Sequence, residues 1–518
     1  MKFWLLKGKN AIIEHEYQGL WGFSHKSSHQ NLRLKIIFGV KSNMRVLFKQ
    51  QLTLSAFTEK ELIGRLHTRD DIDKLALGFN EILKTPTLRN IILEKLQEQL
   101  NLSNNLGREG MDYWSIFVFG VTRVSLDLDY DRLQNLANNH AALRSIVGHG
   151  ALDGHKRYSI TTLKDNIRLL SEDLLDEINT LIVTHGQNAI HPYSKNKTLN
   201  CRGDSYVAKT NVHYPTDINL LYDAVRKIIE IVAQTCQANN IAGTRQYKHN
   251  RDALKTLMHR ARKSKKAKNI ETTKNAHQLY INFAFQLLEK AKAQLTLIAA
   301  EGVFPLQKQA LENYQTYADK FIDQINRRVI NGEIIPHQEK VFSIFEPHTE
   351  WVSKGKAGIP VEFGIKLAVV QDQHQFILHH HVMENKQDVH VAVEVAKEVH
   401  KRYGEIDSMS FDRGFWSPEN EIELSKIVCK VVMPKKGYRN KERQDTESEK
   451  EFKKLRHRHS AVESGINDLQ VHGLEKVPDR GIEGYKRYVS IGIVGYNVHL
   501  LGGMLLHKHY KDERKRAA

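Results

Sequence analysis

Cysteine is scarce in this chain, no membrane-length apolar run is expected and acid is outnumbered by base, and each of these narrows what it can be. Its 518 residues include three cysteines. Cys201, Cys236 and Cys429 are isolated, odd in number and outside any metal-ligand spacing. That usage fits a reducing cytosol and argues against a secreted scaffold held by disulfides. No apolar run is expected to reach the roughly 18–20 residues of a membrane span, the longest lying around Trp114–Val121 as a buried helix or strand. The opening MKFWLLKGKNAII has a lysine-flanked apolar patch but neither an h-region nor a small-residue cleavage site, so no signal peptide is expected. KGKAG at Lys354–Gly358 lacks Walker A spacing, so no nucleotide-hydrolysis site follows from it. The 60 acidic residues are outnumbered by 77 Lys and Arg, for a net charge of +17 and a pI near 9.4. A surplus of that size suits a polyanionic partner, nucleic acid ahead of an anionic membrane surface.

What is present is an ordinary globular composition, 41% hydrophobic, in a chain long enough for about three domains. Residues 1–43 read as an irregular extension, with Met44 opening the regular pattern. Helical spacing follows in Ile72, Leu75, Phe79 and Ile82, then in Leu88, Ile92, Leu96 and Leu100, with Pro86 marking a boundary. Residues 44–190 are expected to form a mostly α-helical domain suited to DNA binding or dimerisation. Leu199–Tyr214 has strand composition and ends at a helix start, Thr216 or Asp217. Helical periodicity then fills residues 218–335, including the basic stretch Arg245–Asn269. From Phe363 the period becomes two, with DQHQ as a hairpin turn. A helix over Val389–Arg402, a strand ending at Phe411-Asp412, a helix over Pro418–Ile427 and a strand over Val428–Met433 follow. Arg439–Lys450 reads as a charged linker, and a last helix with Leu455, Val462, Ile466 and Leu469 precedes an apolar closing helix and a basic tail, 508–518.

Three acids stand in contexts that suit phosphodiester chemistry. Asp412 falls at a strand end, and Gly414 behind it permits a tight turn with open access. Glu463 lies on a helix beside the apolar stripe, within one or two turns of Arg456, His457, Arg458 and His459. Asp204 is expected at a strand start, where an Asp-Ser pair is by itself unremarkable. Two divalent cations about 3.5–4 Å apart need a few protein oxygens and room for phosphate and water, which two aspartates and a glutamate can give. Asp372 competes for the first acid, with a turn residue of DQHQ as its plainer role. His379, His380 and His381 alternate faces on a strand, so all three cannot easily hold one ion.

Four ordered blocks carry a resemblance that no single one would. CRGDSYVAKTNVHYPTD, FEPHTEWVSKGKAGIPVEFGIK, FDRGFWS and HRHSAVES resemble the signature blocks of bacterial insertion-sequence transposases of the DDE type, the ISNCY-like group above all. The match runs from about Arg45 to His507. It implies an α/β fold: an RNase H-like mixed sheet forming the catalytic domain (195–217 and 336–507), a helical insertion (218–335) and the N-terminal helical domain. It assigns catalysis and metal binding to Asp204, Asp412 and Glu463, with Mg²⁺ as the cofactor and Mn²⁺ as a substitute. The implied reaction cuts DNA at the element ends and joins the freed 3′-hydroxyl to target DNA. The implied partners are double-stranded DNA, meaning terminal inverted repeats and target, and at least a second copy of the chain, with no membrane; the setting would be the bacterial cytoplasm and nucleoid. Lys209, Lys354, Lys356, Arg413, Lys435, Lys436, Arg456, Arg458 and His459 are the candidates for DNA contact. Lys209 departs from relatives that carry an acid there, and His459 from many that carry arginine. A nuclease without strand transfer and a non-catalytic DNA-binding derivative are the alternatives.

Overall fold

A computed structural model describes residues 71–100, 110–150, 153–190, 198–266, 269–300, 302, 308–353 and 360–517. The proposed extension 1–43, Met44, Lys354 and Lys356 lie outside the described residues. The protein is mixed α/β, with a single seven-stranded mixed sheet among these residues.

The N-terminal helices are α1 (Asp71–Lys84), α2 (Pro86–Leu100), α3 (Tyr113–Ser125), α4 (Tyr130–Asn139), α5 (Ala141–Ile146), α6 (Ile160–Ile167) and α7 (Glu172–Ile190). Pro86 takes the first position of α2, where its missing N–H is not needed. The apolar segment around Trp114 is helical, capped by Asp112, whose carboxylate accepts from the Ser115 N–H at 2.8 Å. Every residue of α3 is buried. Such a helix needs cover on all sides, and the chain's last helix, α16 (Ile482–Ala517), supplies much of it.

Between them comes the sheet: β1 (Leu199–Thr210), β2 (Glu350–Ser353), β3 (Val361–Gln371), β4 (Ile377–Val382), β5 (Ile406–Phe411), β6 (Val428–Val432) and β7 (Lys476–Val477). Its order is β2-β3-β1-β5-β6, and β4 also pairs with β3, further along the same edge as β2. The hairpin β3–β4 is antiparallel, β3 is antiparallel to β1, and β1, β5 and β6 are mutually parallel. β2 adds to the start of β3, and β7 to the end of β1. The parallel crossovers are helical: α12 (Asp388–Tyr403) leads to β5 and α13 (Pro418–Ser425) to β6. α12, α13 and the apolar residues of β5 and β6 close one core on that face, with Phe376, Leu378, Met409 and Phe411. On the other face, Tyr206, Ile365, Leu367 and Val369 share a continuous core with α1–α7, with α15 (Lys450–Leu469) and with α16.

Helices α8 (Asp217–Ala238), α9 (Tyr247–Ser264), α10 (Ile270–Ala300) and α11 (Lys308–Ile325) lie between β1 and β2 in sequence and form an apolar core of their own. Arg328 closes this unit on its own beginning: Nε and Nη2 donate to Asp217 at 2.6 and 3.0 Å.

Two expectations need correction. Residues 439–450 are not a linker: Lys441–Ser448 is helix α14, capped by Asn440 and held by Arg443, which pairs with Glu447 and Glu421. A charged sequence lacks an apolar stripe, but ion pairs and a cap can still fix a short helix. Second, an apolar run of membrane length does exist: α16 passes by length and composition, with a window of mean hydropathy 1.6, two-thirds of it buried in the protein. Its polar residues act inward. Asn497 Oδ1 accepts from the Ile377 N–H and its Nδ2 donates to the Ile377 carbonyl, both at 2.9 Å, while the Tyr485 hydroxyl donates to the Ala208 carbonyl at 2.7 Å. These bonds fasten α16 to the sheet.

Burial of the histidines gives the fold an acid sensitivity. Burial, then the positive charges around His380 and Arg402, push His379 down to about 3. Burial likewise pushes His149 down to about 4 and lowers His380. Their unfolded values lie near about 6.5. As pH falls through that value the unfolded chain takes up protons that the folded chain refuses, so stability rises with pH over this window and falls with acid. Thermal unfolding should therefore show a midpoint that drops between about pH 7.5 and about pH 5, and a His379→Gln variant should show a shallower drop. A flat profile would contradict the buried, neutral histidines.

Candidate metal centre

The site is built where β1 and β5 lie side by side. Their parallel register pairs Arg202 with Ser410 and Gly203 with Phe411. One step further stand Asp204 and Asp412, the latter opening the short 3-10 turn Arg413–Phe415. Side chains two apart share a face of a strand, so Asp204 follows Arg202, and Asp412 follows Ser410. Ser410 identifies that face, since its Oγ shares a hydrogen bond of 3.0 Å with His459 Nδ1 of α15. Glu463 lies one helical turn beyond His459 and so on the same side of α15.

Electrostatics agrees with this placement. The Asp204 carboxyl is pushed up to about 7, first by burial and then by the negative charges of Asp412, Asp388 and Glu463. The Ser205 N–H, 2.7 Å from Oδ1, works against the rise. A carboxyl crowded by other carboxylates is one that a cation would relieve. The all-oxygen donor set fits Mg²⁺ or Mn²⁺ before softer metals. Among the described residues, the group whose ligand atoms all fall within 4.8 Å of one another is a different one, Asp71, His472 and His499. Asp204, Asp412 and Glu463 do not form a group that tight.

A cavity of 390 Å³ opens over Asp412 and Glu463, and Arg413, Arg456 and His459 share its lining. Arg413, Arg456, Arg458 and Lys436 are exposed, with no carboxylate partner among the described residues. Lys435 Nζ lies 5.6 Å from the Trp416 ring centre, and its backbone N–H donates to Glu447 at 2.9 Å. Burial lowers the pKa of His459 despite the nearby Asp412 and Glu463, so at neutral pH it is an uncharged ring braced by Ser410. Lys209 is turned to other work: it pairs with Glu475 at 2.9 Å and Glu362 at 3.9 Å, about 17 Å along the strand from Asp204. Asp372 is a turn anchor, its Oδ1 accepting from the N–H groups of His374 and Phe376 at 2.8 and 2.9 Å and its Oδ2 from Gln187 at 2.7 Å. Of the three histidines on β4, His380 bonds Ser490 at 3.0 Å and faces Asp176 at 3.5 Å, while His381 faces Glu394 at 3.7 Å.

Asp388 is a residue that sequence reasoning missed. At the start of α12 it accepts from the Ser205 hydroxyl at 2.6 Å and from Lys366 at 2.9 Å. Its carboxylate also lies under the turn after Asp412, 3.2 Å from where a Cβ on Gly414 would sit. An acid in the first turn of a helix reads as a favourable partner of the helix dipole, which hides this bracing role. No protein-family model, curated protein or solved structure matches the chain.

α15 seats closely on the sheet at Gly465, where any larger residue must displace the side-chain amide of Gln371. A Cβ there would lie 2.4 Å from Nε2 of the fully buried Gln371. Gly465→Ala should therefore destabilise the fold by about 1–3 kcal/mol, although alanine inside a helix ordinarily gains about 1 kcal/mol over glycine. Denaturant unfolding measures it, and a stabilised variant would contradict the close seat.

Proposed function

We propose that the protein is a divalent-metal-dependent DNA transposase with an RNase H-like catalytic domain, its helical insertion following the first strand. What carries this reading is the register that sets Asp204 of β1 beside Asp412, the charges of Asp412 and Glu463 felt at Asp204, and the cavity that Asp412 and Glu463 line with Arg413 and Arg456. The strand order β2-β3-β1-β5-β6, with the antiparallel hairpin β3–β4 and parallel β1, β5 and β6, supports it, as do the four sequence blocks. Asp204, Asp412 and Glu463 would hold two Mg²⁺ or Mn²⁺ ions, which when bound supply an activated water or 3′-hydroxyl and a stabilised leaving oxygen. Asp204 gives up its proton on loading. His459 stays neutral and holds the end of β5 against α15. Arg413, Lys435, Lys436, Arg456 and Arg458 grip phosphates, which sets register on DNA without reading its sequence.

Lys354 and Lys356 belong to the wider set of candidate phosphate contacts, whereas Lys209 is paired with Glu475 and Glu362 and does not. The N-terminal helices would read the terminal repeats, and paired cutting of two ends calls for at least a dimer on DNA. The working compartment would be the bacterial cytoplasm, at the nucleoid. A nuclease of the same fold would give nicked but never joined product, and a non-catalytic derivative would bind DNA and give neither.

Asp412→Asn should abolish Mg²⁺-dependent cleavage of end-containing DNA while leaving DNA affinity within about threefold, because the phosphate-gripping cations are untouched. Undiminished cleavage by that variant would refute the assignment. Loading should also be pH-dependent. Below about pH 7 Asp204 must lose a proton to accept a cation, so Mg²⁺ affinity should climb as pH rises through 7 and then level off. Calorimetry in buffers of different protonation enthalpy reads the released proton, and Asp204→Asn should eliminate it.

A further inference from the structure

Outside the cavity over Asp412 and Glu463, a second set of ligand-type side chains converges at the junction of the N-terminal helices with α16. We propose that Asp71, His472 and His499 form a Zn²⁺ site that fastens α1 to the C-terminal helix. Their ligand atoms all lie within 4.8 Å of one another, and each side chain is half-buried. Asp71 opens α1, His499 is in the middle of α16, and His472 sits in the break that follows α15. The break itself aims His472. Non-helical backbone at His472 and a positive φ of 91° at Gly473 turn the chain, and a Cβ on Gly473 would strike the Val124 carbonyl oxygen at 2.2 Å.

The bonding of each ring favours a metal. His472 Nδ1 lies 3.0 Å from the Ser125 carbonyl oxygen. A carbonyl only accepts, so Nδ1 carries the proton and Nε2 keeps its lone pair. A ring whose other nitrogen donates to a backbone carbonyl is the usual arrangement for a metal-bound histidine. His499 Nε2 is buried with no hydrogen-bond partner, although Asp71 Oδ1 is 3.4 Å away. The two atoms are close without being aligned as donor and acceptor. The imidazole rings are 4.7 Å apart between centres, a separation at which a shared cation can sit between them. Lys74 reaches Asp71 Oδ1 at 3.3 Å and, being partly exposed, can move to solvent when a cation takes its place. Two imidazole nitrogens and a carboxylate oxygen suit Zn²⁺ better than Mg²⁺ or Ca²⁺, with water in the fourth position. None of the three groups touches the DNA-cutting site, and the proposal stands without that reading.

The test uses the full chain carrying Asp204→Asn, Asp412→Asn and Glu463→Gln, stripped with chelator and titrated with Zn²⁺ by calorimetry. We expect one Zn²⁺ per chain and a raised thermal midpoint, since a ligand bound only to the folded state stabilises it. Adding His499→Ala or His472→Ala should weaken binding at least about tenfold and remove the thermal shift. Asp71→Asn, which keeps shape and volume, should weaken it similarly and covers the case in which a histidine variant fails to fold. Co²⁺ in place of Zn²⁺ should give the strong d–d absorption of a tetrahedral site, absent from the Asp71→Asn protein. Failure of the folded parent to take up Zn²⁺, or uptake unchanged by these substitutions, overturns the proposal.

Discussion

Everything at the candidate centre depends on the parallel pairing of β1 with β5. A shift of one residue in that register would turn Asp412 to the opposite face of the sheet and leave Asp204 alone. The register is held from both sides. Phe411 and Met409 lock β5 into the core beneath α12 and α13, while Tyr206 and Ala208 lock β1 into the core under α15 and α16. Asp388 adds a polar brace, joining Ser205 of β1 to Lys366 of β3 beneath the turn that follows Asp412. Asp204 thus projects from a strand fixed by burial and Asp412 from the residue that follows one, while Glu463 depends on the docking of a helix.

Holding three or four carboxylates near one another costs free energy unless a cation is present. Burial first, and the neighbouring carboxylates after it, raise the pKa of Asp204, so that this carboxyl holds a proton more readily than a free one. The protein does not neutralise the acids with its own arginines. Arg413, Arg456 and Arg458 stand beside the site without pairing among the described residues, free to meet another anion. Other arginines are spent on internal bonds, as with Arg328 on Asp217, Arg402 on Asp176 and Arg123 on Asp479, while Arg260 on α9 is exposed like those beside the site.

Much of the fold was legible because its signals are local. Helical spacing at Ile72, Leu75 and Phe79, the switch to a period of two at Phe363, and Asp412 at a strand end all follow from neighbours in sequence. What stayed hidden depends on partners far away. Helix α14 needs Glu421 and a pair within itself, not an apolar stripe. The short strands β2 and β7 exist only because β3 and β1 offer open edges. The length of α16 as an apolar run was masked by Asn497 and His499, whose polar atoms look like surface until the residues beside them are known. The roles of Asp388 and of His459 as a neutral brace could not be read at all, since each is set by contacts across the sheet. Lys209 looked like a phosphate contact by its nearness in sequence to Asp204, yet its partners are Glu475 and Glu362.

The central claim is that Asp204, Asp412 and Glu463 share divalent cations, and it can be tested by seeing the ions themselves. Crystals of the full chain, soaked in Mn²⁺ above neutral pH and measured at the manganese edge, should show anomalous density between Asp204 and Asp412, with Glu463 alongside. Saturating Mn²⁺ with a bound DNA end and no anomalous signal at those carboxylates would contradict it.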